Sequence, residues 1–199
     1  MSDVLVFNKW PATGLTIEDP GLVDYINIHP RIVPKTGATY AGNRFHKSKT
    51  FIVERFINKV MVPGHKAKKH WRSSGHCTGK AGHAYNTVLE AFKIVEARLK
   101  KNPVEVFFKA VENAAPREEI VTIEYGGARY PKATECAPQR RVDLALRFFI
   151  QGAYGKCFNT KKSLVSSIAE EIILAYQLSP NSMAISKKNE IERQADSSR

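Results

Sequence analysis

The side chains in this sequence with the clearest chemical potential are cations that come in pairs and sit beside aromatic residues or at the starts of apolar-periodic segments. Arg140-Arg141 follow Pro138 at the opening of one such segment, Lys161-Lys162 open a second and Lys187-Lys188 begin the tail. Arg129, Tyr130 and Lys132 lie just past Gly126-Gly127, and Arg44, Lys47 and Lys49 surround Phe45 and His46. A cation at a helix N-terminus opposes the helix dipole, whereas an anion there is favoured by the dipole and by the unpaired backbone N–H groups. The placement therefore points to phosphate. Tyr40, Trp71 and Tyr130 are candidates for stacking on unpaired bases.

The stretch from His65 to His83 holds Lys66, Lys68, Lys69, Arg72 and Lys80, with Trp71 at its middle and no acidic residue. It has too little apolar content to bury, so an exposed basic loop is expected. His65, His70, His76, Cys77 and His83 could suggest zinc, but structural zinc takes ligand pairs two to four residues apart and His76-Cys77 are adjacent, so no metal is expected there. Phosphate contact, stacking or nothing more than a surface loop is the expected role, with no metal and no cofactor. Catalysis finds no footing either: there is no phosphate loop, no G-x-S-x-G, no H-E-x-x-H and no patterned carboxylate pair. Glu170-Glu171 read as the solvated edge of a helix, and Cys136 and Cys157 as small core residues. The protein is expected not to be an enzyme.

Composition agrees. The 199 residues carry a formal charge of +12 and a sequence pI near 9.7, with 43% hydrophobic residues. A domain of this size can bury roughly 70% of the surface its unfolded chain exposes, so no covalent staples are needed. Three scattered cysteines, Cys77, Cys136 and Cys157, suit a reducing compartment rather than a disulfide framework. The opening Met1-Ser2-Asp3-Val4-Leu5 shows no basic leader, and no apolar run approaches the ~18 residues of a membrane span. A cytoplasmic protein with a polyanionic partner and no membrane partner is expected.

The elements that would position these cations follow from periodicity. Residues 1–50, broken by Pro11, Pro20, Pro30 and Pro34 and by several glycines, read as an extended arm whose basic later half is ordered by an anionic partner. Residues 51–199 read as a helical RNA-binding domain. Val53, Phe56, Ile57, Val60 and Met61 give the first helix a buried stripe, with Glu54, Arg55, Asn58 and Lys59 on its other face, and Pro63-Gly64 stop it. Helices are expected from Tyr85 to Lys101 and from Pro103, capped by Asn102, to Ala115-Pro116. Between about 119 and 136 the period drops to two around Gly126-Gly127, which predicts a hairpin with Pro131 at an edge or bulge. Helices opening at Pro138 and Lys161 follow, then a short, mostly solvated helix in the tail from Ala184. The fold class is mainly α: a helical bundle with one protruding two-stranded β-hairpin and a basic N-terminal arm.

Several strings, taken in order, resemble a known family. Arg55-Phe56-Ile57-Asn58-Lys59-Val60-Met61, Val111-Glu112-Asn113-Ala114-Ala115-Pro116-Arg117, Gly126-Gly127-Ala128-Arg129-Tyr130, Pro138-Gln139-Arg140-Arg141 and Lys187-Lys188-Asn189-Glu190-Ile191-Glu192-Arg193 are similar to the small-subunit ribosomal protein S-seven family. The long N-terminal segment resembles its archaeal and eukaryotic-type branch. The resemblance implies primary binding to the 3′ major domain of small-subunit rRNA. It also implies nucleation of head assembly beside the exit-site tRNA, the mRNA exit path and ribosomal protein S-eleven. It further implies that Arg129, Tyr130, Arg140 and Arg141 approach RNA, and that Lys187-Lys188 form the basic C-terminal turn. Two features depart from the family: Gly64-His65-Lys66 leads into a longer loop, and the ribbon carries Glu118, Glu119, Glu124 and Glu135.

The candidate RNA-binding set is thus Arg44, Lys47, Lys49, Lys66, Lys68, Lys69, Arg72, Arg129, Tyr130, Lys132, Arg140, Arg141, Lys161, Lys162, Lys187 and Lys188. A sequence-specific DNA-binding helical protein and a metal-dependent enzyme built on the His65–His83 segment are the competing readings.

Overall fold

The computed structural model describes residues 4–66, 69–70 and 79–199. Seven helices and two small antiparallel sheets lie among them: α1 (His46–Lys49), α2 (Ile52–Val60), β1 (His65–Lys66), β2 (Lys69–His70), α3 (Ala81–Leu99), α4 (Pro103–Ala114), β3 (Glu118–Tyr125), β4 (Ala128–Glu135), α5 (Pro138–Cys157), α6 (Leu164–Tyr176) and α7 (Met183–Asp196).

Local signals set most boundaries. Asn102 Oδ1 accepts the Val104 N–H at 3.0 Å and Pro103 opens α4, so cap and first turn fall where their chemistry requires. Ser163 Oγ caps α6 by accepting the Ser166 N–H at 3.1 Å. Lys161 and Lys162 therefore stand in the turn before α6 rather than in its first turn, which corrects the expected start of that helix.

The core lies between the helices, with α6 packed against α3, α4, α5 and α7. That central position explains why Ile168, Ala169, Ile172, Ile173 and Ala175 are all buried: a helix surrounded by others needs more than one apolar face. The Phe107 ring sits 4.9 Å from Phe56 and 5.6 Å from Phe92, tying α4 to α2 and α3. Each such aromatic removes enough surface from water to contribute about 1.5–3 kcal/mol.

Four expectations change on inspection. First, residues 4–28 are packed, not splayed away: Val6, Phe7, Trp10, Ala12, Leu22 and Ile26 are buried, and Phe7 meets Tyr85 and Phe92 edge-on at 4.9 and 5.8 Å. Asn102 Nδ2 donates to the Pro11 carbonyl, and the Glu112 carboxylate accepts the backbone N–H groups of Glu18 and Asp19. The apolar side chains here are spaced by turns, so no helical or strand period reveals them. Second, the tail helix is 14 residues long and buries Ala184, Ile185 and Ala195 while packing along β3 and α5. Third, Glu171 is fully buried, not solvated. Fourth, Glu54 and Arg55, expected on the solvated face of α2, are buried as well.

Candidate nucleic-acid interface

The hairpin is the most exposed element. Its register runs without a slip from Glu118↔Glu135 to Tyr125↔Ala128, so Pro131 sits on an open edge opposite Thr122 and makes no bulge. Gly126 and Gly127 take φ of 58° and 80°, the left-handed pair that a two-residue turn needs to follow the strand twist. Alternation puts Val121, Ile123, Tyr125, Tyr130 and Lys132 on one face and Thr122, Glu124, Arg129 and Pro131 on the other. Arg129, Tyr130 and Lys132 are all exposed there.

The acid on the ribbon is largely engaged within the chain. Glu119 takes the Arg140 Nε at 2.7 Å, Glu118 takes the Arg199 guanidinium at 2.6 Å, and Glu124 lies 3.5 Å from Arg129 across the strands. Glu192 on α7 accepts the Arg117 N–H at 2.9 Å. The contacts of Glu118, Glu119 and Glu192 stiffen the base of the hairpin, and its outer half carries only the loose Glu124–Arg129 pair. Cys136, at that base, is a poor nucleophile: burial pushes its thiol up to about 11, and the Glu119 carboxylate beside it adds to the shift.

Arg140 and Arg141 diverge. Arg140 is exposed, whereas Arg141 turns inward, donating from Nε to the Pro116 carbonyl at 3.1 Å and from Nη2 to Asp19 at 2.6 Å. Burial pushes the Asp19 carboxyl up, but the Arg141 hydrogen bond, the Gly21 N–H and the Arg141 charge outweigh it and hold it below 3.8. Arg141 is a tie between residues 19–21 and α5. Arg141→Ala is therefore expected to lower unfolding free energy by about 1.5–3 kcal/mol, the range for a hydrogen bond to a charged group. Arg140→Ala removes only an exposed ion pair with Glu119, so it is expected to cost no more than about 1 kcal/mol in chemical denaturation and to weaken RNA binding instead. A parallel urea and filter-binding measurement on the two single variants separates the roles.

The remaining candidates are placed as follows. Arg44 is exposed, its guanidinium 5.4 Å from the Phe45 ring centroid. Lys49 and Lys161 are exposed, and Lys162 is exposed and ion-paired with Glu170. Lys187 pairs with Glu190 at 2.6 Å, and Lys188 donates to the Asn113 carbonyl at 2.9 Å. Tyr40 is half-buried with the Arg31 guanidinium over its ring, so one of its faces is taken. The backbones of Lys66 and Lys69 pair between β1 and β2, while Lys68, Trp71, Arg72, His76 and Cys77 lie outside the described residues.

One grouping escaped sequence reasoning. A cleft of about 550 Å³ opens between α2, α5 and the end of α1, lined by Lys47, Arg55, Lys59, Asp143, His65 and Arg147 among others. Lys47 Nζ lies 2.5 Å and Arg55 Nη2 3.1 Å from the Asp143 carboxylate, and Arg55 is only 6% exposed. Burial pushes the Asp143 carboxyl up, yet Lys47 and Arg55 together hold it below 3.8. Burial pulls the Lys59 ammonium below 10.5, and Arg147, Lys47 and Arg55 add to the pull against Asp143. The available signal was the i, i+4 spacing of Arg55 with Lys59 and of Asp143 with Arg147. Nothing in the sequence says that the two helix faces meet.

Comparison with known proteins adds to this geometry. Residues 23–199 match the family described as "Ribosomal protein S7p/S5e". The chain is 50% identical over 194 residues to "Small ribosomal subunit protein uS7" of Nanoarchaeum equitans, covering 98% of each protein. It is 44% identical over 197 residues to the protein of that name from Archaeoglobus fulgidus, covering 99% of this chain and 96% of the relative. With that of Methanothrix thermoacetophila it shares 43% identity over 194 residues, 98% of this chain and 99% of the relative.

Proposed function

The chain belongs to the ribosomal protein S7p/S5e family, and from that premise we propose that it binds the 3′ major domain of small-subunit rRNA directly and nucleates assembly of the subunit head. Its coarser role is that of a structural, non-enzymatic constituent of the small ribosomal subunit. Near full-length identity to proteins named as small-subunit components carries this reading. In the assembled particle it sits beside the exit-site tRNA, the mRNA exit path and ribosomal protein S-eleven, in the cytoplasm. Among the described residues no helix is long and apolar enough to cross a membrane.

Mechanistically, cations from separate stretches meet a folded polyanion at several points. Arg129 and Lys132 approach phosphates from the outer half of the hairpin, with Tyr130 free to stack. Arg140 flanks its base, where Lys187 and Lys188 on α7 adjoin. Arg44, Lys47 and Lys49 contribute from residues 1–50, Lys161 and Lys162 from the turn before α6, and Lys66, Lys68, Lys69 and Arg72 from the basic loop with Trp71. RNA of this kind is recognised by shape, through phosphate and sugar contacts with occasional stacking, which suits scattered cations on a rigid helical body.

A competition titration tests the reading against a DNA-binding one. A transcript of the 3′ major domain is expected to displace the protein from duplex DNA of equal nucleotide content at least tenfold more effectively than the reverse. Equal or stronger competition by the duplex would overturn it.

A further inference from the structure

We propose that the cleft between α2 and α5 is a seat for an RNA phosphodiester, gripped by Lys59 and Arg147 and kept in shape by the Asp143 carboxylate. The inference rests on the rRNA-binding reading and extends it to residues outside the candidate set above.

The charge balance of the cleft comes first. Lys47, Arg55, Lys59 and Arg147 face a single carboxylate, so the walls carry three positive charges beyond what Asp143 neutralises. That carboxylate is already engaged by Lys47 and Arg55. Lys59 and Arg147 form no ion pair among the described residues, and Lys59 is half-buried. The Lys59 ammonium is taken partly out of water beside three like charges, and the one nearby carboxylate, Asp143, offsets that cost only in part because Lys47 and Arg55 already hold it. The depressed Lys59 ammonium records that cost. An anion entering from solvent would relieve it, and a concave wall of low dielectric strengthens the attraction.

The rest of the lining selects the kind of anion. Buried Leu146 and Ile150 and the exposed Val62 give the lining an apolar part, while Asn58 and Gln151 add amides. Gln151 is anchored by donating to the His65 carbonyl at 2.7 Å. No Phe, Tyr or Trp is among the described lining residues, so nothing there is built to stack a base. A volume of about 550 Å³ is more than one phosphate occupies and accommodates the group with its flanking riboses. The recognised unit is therefore sugar–phosphate backbone, bound without sequence preference. Asp143 acts as a positioning residue: by holding Arg55 and Lys47 it fixes two walls and leaves the other two cations unspent.

The experiment measures binding of the full chain to a 3′ major domain transcript over a series of potassium chloride concentrations. Lys59→Gln/Arg147→Gln is expected to weaken binding about tenfold or more and to flatten the log–log salt slope by about 1–2, the share of two phosphate-neutralising cations. Lys93→Gln/Arg98→Gln removes equal charge from α3, which does not line the cleft, and is expected to leave the slope unchanged. A swap that keeps charge, Lys59→Arg/Arg147→Lys, should restore the slope. Should the Gln pair not fold, Arg147→Gln alone, at an exposed position, is expected to flatten the slope by about half as much. An unchanged slope in the cleft variants, or equal flattening by both double variants, would overturn the seat while leaving rRNA binding intact. Salt-independent binding of the parent chain would instead overturn the rRNA reading, and the seat with it. Excess inorganic phosphate that raises the melting temperature of the parent but not of the Gln pair would reassign the cleft to free phosphate.

Discussion

Glu171→Ala is expected to cost about 3 kcal/mol of folding stability, the low end of the range for breaking a buried ion pair. For a chain of this size that corresponds to a fall in melting temperature of roughly 6–12 °C. The carboxylate is fully buried where α5, α6 and α7 meet. Lys156 Nζ reaches it at 2.7 Å, the Ser182 hydroxyl donates to it at 3.0 Å, and the Met183 N–H donates at 3.1 Å. It thus supplies in trans the cap that the start of α7 lacks from its own Ser182 side chain. Lys156 keeps some solvent access, so its charge is not trapped when the partner goes, which is why the low end applies. Gly152 belongs to the same knot: a Cβ there would lie 2.8 Å from Met183 Cβ and 3.0 Å from the Glu171 carboxyl carbon. Differential scanning calorimetry of Glu171→Ala checks the value, and a loss below about 1 kcal/mol would mean that α7 docks by its apolar residues alone.

That knot also marks where sequence reading stopped working. Glu171 follows Glu170 between Ala169 and Ile172, and periodicity alone put both acids on a solvated edge. The partners that decide otherwise, Lys156 on α5 and Ser182 at the cap of α7, lie 15 residues before and 11 residues after it. Elements whose signals are local were legible. Asn102-Pro103 announced α4, Gly126-Gly127 announced the hairpin turn, and the apolar stripe of α2 was correct. Residues 6–26 were misread for the opposite reason: Phe7, Trp10 and Leu22 bury through turns and pair with α3 and α4, which no periodic pattern encodes. The cations divide the same way. Their number and sign were evident, and the exposed trio Arg129, Tyr130 and Lys132 sits on the hairpin as its motif suggested. Whether a given cation faces water or a neighbouring carboxylate depends on tertiary partners, so Arg140 and Arg141, adjacent in sequence, ended with different surroundings.

Those surroundings bear on the largest effect expected of this protein. Raising salt from 50 to 200 mM should weaken its binding to the 3′ major domain by about 10³- to 10⁵-fold, the loss for six to ten neutralised phosphates. Arg44, Lys49, Arg129, Lys132 and Lys161 are exposed, and among the described residues only Arg129 of these has even a loose ion pair. Lys66, Lys68, Lys69 and Arg72, expected from the sequence to contribute as well, would bring the number of contacting cations within that range. Lys162 and Lys187 start from solvent-accessible, partly exposed pairs with Glu170 and Glu190, and such pairs contribute so little that exchanging a carboxylate for a phosphate costs little. Arg141 should not count, because releasing it would strand the partly buried Asp19. Arg141→Lys, if it folds, is therefore expected to keep the parent's salt slope, whereas Lys132→Gln should lower it by about 1. A parent slope corresponding to two phosphates or fewer would mean that these cations serve solubility and that affinity comes from elsewhere.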